Sequence, residues 1–380
     1  MQVSEPSVQK DLFSDTSEKQ YLEDQIITYI GNKRALLGFI GKGINQVKKR
    51  LGKKRLRSID IFSGSGIVSR YLKRHSSFLH ANDLEKYVEV INRCYLSNPD
   101  EINYTELQRA ISYVNQEASR NPKPGFISDL YAPADDNNIR QGERVFYTTR
   151  NAEFIDTARK LINNLNSSLQ TYLLAPLLYK ASVHTNTSGV FKGFYKNSKT
   201  GKGQFGGNGR NALSRILGKI YIPEPVFSSC SCEYKVTRGD ANEVAKRNDV
   251  ANFDLAYVDP PYNQHPYGSN YFMLNLIAEY KRPQNISRVS GIPKDWNRSN
   301  YNKRREIKEA LVKLIDNLDA RFVLVSFNSE GFIEKEDMVS TLEKFGDVET
   351  ISTEYNAFRG SRNLSQRDLY VTEYLYLLEK

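Results

Sequence analysis

The 380-residue sequence is poor in cysteine, methionine and tryptophan, with three, three and one. Three cysteines cannot staple a small secreted scaffold. Cys230 and Cys232 form a lone C-x-C with Cys94 far away, so all three read as reduced thiols. His75, His80 and His184 lack metal-ligand spacing, and no metal is expected. No apolar run reaches the ~18 residues of a membrane span, so no membrane partner is expected. No basic stretch followed by an apolar one opens the chain, so a cytoplasmic protein is expected. Hydrophobic residues at 39% and charged residues at 26% exclude a disordered or collagen-like chain. Acidic residues are missing over two long stretches. Between Lys33 and Arg57 there are ten basic residues and no acid, and between Thr157 and Pro223 the same is true. With a net charge of +10, these stretches point to a polyanionic partner such as nucleic acid. The 24 tyrosines and 18 phenylalanines interleaved with this charge supply faces for stacking on bases, or simply core.

Residues 1–20 are polar and acidic, and a loose N-terminus is expected there. From Gln25 a helical pattern is expected, carried by Ile26, Ile30, Leu36, Leu37, Ile40 and Ile44. Ser58-Ile-Asp-Ile-Phe-Ser-Gly-Ser-Gly66 reads as a buried strand ending in a tight glycine turn, followed by a helix from Ile67 to Lys73. Phe78 to Asp83 reads as a second strand and Val88 to Leu96 as the next helix. This alternation implies an α/β protein with a parallel sheet. The alternation stops at 101–234, where Thr105 to Glu117 and Phe154 to Lys180 read as helices. Ser188 to Arg210 holds seven glycines and reads as a hairpin or loop. Strand patterns return at Tyr234–Asp240, Phe253–Asp259, Phe322–Phe327, Asp347–Glu354 and Leu369–Leu377. The economical division is one α/β domain of about 21–100 plus 235–380, interrupted by an inserted domain at 101–234.

Two segments carry chemistry. In Asp60-Ile-Phe62-Ser-Gly64-Ser-Gly66, glycines allow close approach of the backbone to a ligand, and the following helix offers free N–H groups. Asp83, ending the next strand, is placed to accept hydrogen bonds from ribose hydroxyls. The absence of a third glycine and the acid Asp60 favour S-adenosylmethionine over a nicotinamide dinucleotide, with a purely structural turn as the alternative. Asp259-Pro260-Pro261-Tyr262 ends another buried strand, at the sheet edge where ligands bind in such folds. There the carboxylate accepts from an exocyclic amine, the prolines stiffen the turn, and the tyrosine stacks on a planar heterocycle.

Asp259-Pro-Pro-Tyr262, Phe62-Ser-Gly-Ser-Gly66 and Tyr29-Ile-Gly-Asn-Lys33 together resemble the D12 class, or α-group, of adenine-specific DNA methyltransferases. The resemblance covers roughly 21–97 and 180–380. Tyr29 stands where many members have tryptophan, and Asn32 where many have glycine. The resemblance implies a Rossmann-like methyltransferase fold: a mostly parallel seven-stranded sheet with an antiparallel C-terminal strand, plus an inserted, mainly helical DNA-recognition domain. It implies that Tyr29 and Lys33 contact the methionine end of S-adenosylmethionine, Asp83 the ribose and Asp240 the adenine ring. Asp60, Phe62, Gly64 and Gly66 would form the cofactor loop. Asp259 would serve both cofactor and target amine, with Pro260, Pro261 and Tyr262 completing the catalytic motif. The implied partner is double-stranded DNA, held by Lys192, Phe194, Tyr195, Lys196, Lys199, Lys202 and Arg210 of the glycine-rich hairpin. His265, Arg359 and Arg362 are further candidates for DNA contact.

Asn263 to Tyr271 and Tyr355 to Asn363 resemble a restriction–modification subgroup reading ATG-containing sites such as CATG. Such systems pair the methylase with a restriction endonuclease that acts on the same site without a stable complex. Two other functions remain open on the residues alone: an RNA or free-nucleotide amine methyltransferase, and a non-catalytic DNA-binding protein on a decayed methylase fold. Trp296, amid Lys294, Arg298, Lys303, Arg304 and Arg305, is read as a core tryptophan beside a solvated basic face.

Overall fold

A computed structural model describes residues 16–207, 209, 212–356 and 370–380. Strands β1 (Leu56–Asp60), β2 (Ser76–Asp83), β3 (Glu233–Arg238), β4 (Phe253–Val258), β5 (Ala320–Asn328), β6 (Asp347–Asn356) and β7 (Tyr370–Glu379) form one sheet. Their order is β3-β2-β1-β4-β5-β7-β6. Pairs β1–β2, β2–β3, β1–β4 and β4–β5 are parallel, while β7 runs antiparallel to both β5 and β6. The mixed α/β, mostly parallel expectation holds, with β7 as its antiparallel member.

The central strands are apolar on both faces because helices cover both. β5 is buried along nearly its whole length, from Phe322 to Phe327. Helices α1 (Thr16–Glu23), α2 (Leu37–Leu51), α3 (Ile67–Lys73) and α4 (Lys86–Tyr95) precede the helical segment. That segment comprises α5 (Tyr104–Arg120), α6 (Phe126–Tyr131), α7 (Thr149–Asn163), α8 (Ser167–Val183) and α9 (Leu213–Leu217). The rest are α10 (Ala241–Ala245), α11 (Tyr267–Asn270), α12 (Phe272–Glu279), α13 (Ile307–Asn317) and α14 (Lys335–Leu342). One buried cluster runs without a break from Leu79 and Ile91 to Leu107, Leu173 and Leu177, so 101–234 shares its core with the sheet. Ile59, Val258, Val323 and Leu314 belong to a second cluster with α10 and α13.

Several local expectations change. Ile26 and Ile30 are not helical: the chain is irregular from Asp24 to Lys33, with positive φ at Gln25 and Gly31, and the helix begins only at α2. Gly52, left-handed at φ 64, ends α2 by directing its N–H to Lys48 and Lys49. The long helix expected from Phe154 to Lys180 is two, α7 and α8, broken at Asn164–Asn166. Residues 16–20, expected to be loose, belong to α1, where buried Glu18 accepts from Ser228 Oγ (2.7 Å) and the Ser229 amide (2.9 Å). Trp296 lies in neither core cluster; it is half-buried, with the Arg298 guanidinium 4.4 Å from its ring centre. No helix among the described residues is long and apolar enough to cross a membrane.

Candidate active site

The sheet order places the site. From β1 the chain winds outward to β2 and β3, whereas β4 leads the other way to β5, so β1 and β4 flank the switch point. Asp60 at the end of β1 pairs with Tyr257 of β4, and the two C-terminal ends are level. The glycine turn and the Asp259–Tyr262 segment therefore open into one cavity of about 890 Å³, counting its mouth. Tyr29, Lys33, Phe62, Gly64, Asp83, Asp240, Asp259, Pro260, Pro261 and Tyr262 all line it.

The turn after β1 is built for close approach. Gly66 closes it through an N–H to Ser63 O (2.7 Å) and starts α3 at φ 78. A Cβ on Gly66 would press on Asn92 and Ile91 at 3.1 Å. Gly64 (φ 51) donates its N–H to Asp83 Oδ2 (2.9 Å), and the Glu85 amide donates to Oδ1 (3.0 Å). Asp83 is thus oriented at the cavity wall. Burial raises its pKa, and the Gly64 and Glu85 amides counter that. Asp240 caps α10, accepting from the Asn242 N–H (2.9 Å), at the same wall.

Asp60 and Gly66 stand behind the cavity rather than on it. The Asp60 carboxylate is fully buried and accepts the Ser69 hydroxyl at 2.6 Å, because its side chain turns under the loop toward α3. Burial pushes its pKa up to about 7, opposed by the Ser69 hydrogen bond.

Tyr29 packs against the turn, 3.2 Å from where a Cβ on Gly64 would sit, and stacks on Tyr267 (centroids 4.9 Å) and on Tyr271 (4.7 Å). Tyr262 packs edge-on against Phe327 at 5.5 Å. Lys33, 3% exposed, has its Nζ 3.3 Å from Asp259 Oδ1 and 2.6 Å from Glu373 Oε1, and 5.4 Å from the Tyr262 ring centre. Burial opposes the ammonium charge, but the two carboxylates outweigh it and hold the Lys33 pKa well above the usual lysine value. Burial pushes Asp259 up to about 7, with Lys33 pulling it down and Glu373 pushing it up.

Three residues here escaped the sequence reading. Glu373 is one; its signal was a carboxylate in register with the buried Val371 and Leu375 of β7. Glu85 is another, lining the cavity with Asn275 and Asn297 donating to Oε2; burial pushes its pKa up to about 7. The third, Asn186, lies away from the cavity at the root of the glycine-rich segment. Fully buried, it donates to Val145 O (2.7 Å) and Gln204 O (2.8 Å) and accepts from Gly206 N (2.9 Å).

Beyond this root, the Asn197 N–H bonds to Lys202 O (2.8 Å) and Lys196 bridges antiparallel to Gly203, making a short hairpin. Lys192, Lys196 and Lys199 are exposed on it, and Tyr195 and Lys202 are half-exposed. Phe194 is half-buried against Phe146 at 5.2 Å. Phe191 is 2% exposed, packed near Phe146 and Phe272. His265 is exposed just past the Asp259 motif. Arg210, Arg359 and Arg362 lie outside the described residues. No cluster of metal-ligating side chains occurs among the described residues.

The model of the D12 class N6 adenine-specific DNA methyltransferases matches residues 29–341. The chain is 29% identical over 360 residues to the type II methyltransferase M.CviAII of Paramecium bursaria Chlorella virus 1, spanning 93% of this chain and 98% of that one. It is 28% identical over 364 residues to the type II methyltransferase M.NlaIII of Neisseria lactamica, spanning 93% and 99%. To the type II methyltransferase M.FokI of Planomicrobium okeanokoites it is 26% identical over 85% of its length, matching 48% of that protein. A family match over most of the chain, with a glycine turn and an Asp-Pro-Pro-Tyr segment facing one cavity, assigns this chain to the D12 class of N6 adenine-specific DNA methyltransferases.

Proposed function

We propose that the chain methylates the N6 amine of an adenine flipped out of duplex DNA, within one ATG-containing site such as CATG, as the protective half of a restriction–modification system. The observation that supports this most is Asp259-Pro-Pro-Tyr262 at the end of β4, facing the Asp83-braced glycine turn across one cavity. S-adenosylmethionine, when bound, supplies an electrophilic methyl group. The cavity wall carries an acid already oriented by two backbone amides. Those residues fit an adenosine with its ribose on Asp83.

The chain's own part follows from its groups. An adenine cannot be reached inside the stack, so it is flipped at a cost of a few kcal/mol. Tyr262 offers its face to the flipped ring. Asp259 accepts a hydrogen bond from the amine and aims its nitrogen lone pair at the methyl. The transfer needs no covalent enzyme intermediate and therefore no nucleophilic cysteine; consistently, Cys94 is buried with its thiol pKa raised by burial. Rate comes from positioning and from the field of the Lys33–Asp259–Glu373 group. Residues 101–234, with the hairpin around 188–210, are the proposed duplex-holding part, where exposed lysines neutralise phosphates. A long-read methylation map of DNA from cells expressing the chain tests the site. N6-methyladenine confined to one ATG-containing sequence supports it; modification scattered over unrelated sequences refutes it.

A further inference from the structure

Resting on the reading of Asp259 as amine acceptor, we infer that Glu373 of β7 is a positioning residue for methyl transfer, anchoring the Lys33 ammonium so that Asp259 stays free to receive the target amine. β7 runs antiparallel to β5, so its first residues lie at the edge where the parallel strands end. Glu373 thereby comes opposite Asn328 and beside Ser326, whose hydroxyl donates to Oε1 at 2.6 Å. Lys33 Nζ meets the same oxygen at 2.6 Å but Asp259 Oδ1 only at 3.3 Å. The ammonium is therefore seated on Glu373 and leans on Asp259.

This asymmetry has a chemical use. A buried ammonium paired with Asp259 alone would occupy the oxygen that the amine needs, and would stabilise the carboxylate at the expense of its basicity. With Glu373 present, a second carboxylate shares the ammonium. Glu373 Oε2 is buried and has no hydrogen-bond partner among the described residues, an expensive arrangement for a fold to keep without return. The titratable neighbours facing Asp259 are Asp60 at the end of β1, Tyr257 on β4, Tyr262 and Tyr267 past the motif, Tyr355 on β6, Lys33 and Glu373. Of these, Lys33 and Glu373 are the charges that move Asp259 itself.

The test is the pH–rate profile of single-turnover methyl transfer from labelled S-adenosylmethionine to unmethylated plasmid DNA, in wild type, Glu373→Gln and Asp259→Asn. The wild-type rate should fall on the acid side with a midpoint near the 7 of Asp259. In Glu373→Gln the ammonium settles on Asp259. The acid midpoint should then drop by about one pH unit and the plateau rate fall about tenfold, as loss of a like charge and of a free acceptor predict. A folded Glu373→Gln with an unmoved midpoint overturns the inference, since a merely structural glutamate would alter stability and leave the midpoint in place. If Glu373→Gln does not fold, Ser326→Ala loosens the same anchor and must shift the midpoint in the same direction, by less; no shift there overturns it equally. An Asp259→Asn enzyme with near-normal turnover would instead refute the acceptor reading beneath it.

Discussion

Asp83 and Asp259 are both half-buried acids at strand ends, yet their surroundings divide their tasks. Asp83 spends its two oxygens on the Gly64 and Glu85 amides, which fixes its direction. Its replacement by Ala should weaken S-adenosylmethionine binding by ~1–3 kcal/mol in calorimetry, the range for a hydrogen bond to a charged group. An unchanged affinity would remove Asp83 from the cofactor site. Tyr262→Ala should lose a stacking face of ~1–3 kcal/mol for the flipped base, with Tyr262→Trp milder because the face is kept. Competition between duplexes carrying adenine or an abasic position at the target separates that loss from general weakening. Both acids were legible in the sequence because each ends a buried strand. Glu373 was not, because the meaning of an acid in β7 depends on Lys33, 340 residues earlier in the chain, arriving at the same spot.

At the scale of elements, the hairpin between Ser188 and Gly207 is held at its root and open at its tip. Asn186 is the root, and Asn186→Ala leaves three backbone groups without their partner. Methylation should then lose site selectivity while S-adenosylmethionine binding persists; a map with unchanged selectivity would show that the hairpin does not read the site. Replacing Lys192, Lys196 and Lys199 with Gln should instead weaken binding to all duplexes alike. Each lost phosphate contact should flatten the salt slope of binding by about 0.9, and an unaltered slope would show that these lysines do not touch phosphate. The glycines made this hairpin visible in advance. Burial of Phe191 was not visible, because its neighbours Phe146 and Phe272 come from distant segments. Likewise, Ile26 and Ile30 have helical spacing, but Gln25 and Gly31 turn the backbone away so that Tyr29 can reach the cavity. The central strands β4 and β5 were legible for a simpler reason: strands buried on both faces are continuous apolar runs.

At the scale of the whole molecule, the fold gathers carboxyls at one sheet edge and raises their pKa values together. Asp60, Glu85 and Asp259 are each pushed up to about 7, with burial as the leading cause. In the unfolded chain such groups ionise near their ordinary values. Between about pH 4 and pH 7 the unfolded state therefore binds fewer protons, and stability should fall as pH rises through that window. Asp60→Asn, which keeps an acceptor for Ser69, should raise the melting temperature at pH 8 and make little difference at pH 4. Equal effects at both values would show that Asp60 is not held protonated by the fold. This concentration of charge sites is what the chemistry needs, since a water-poor edge strengthens every interaction with the amine. The central claim is that this edge methylates adenine in duplex DNA through Asp259. Purified wild-type protein and Asp259→Asn, each given labelled S-adenosylmethionine and unmethylated duplex DNA, followed by digestion to nucleosides, test it directly. The account predicts label in N6-methyl-2′-deoxyadenosine with the wild type and none with Asp259→Asn at equal folding. Label in cytosine, label only when RNA replaces the duplex, or equal label from Asp259→Asn would contradict it.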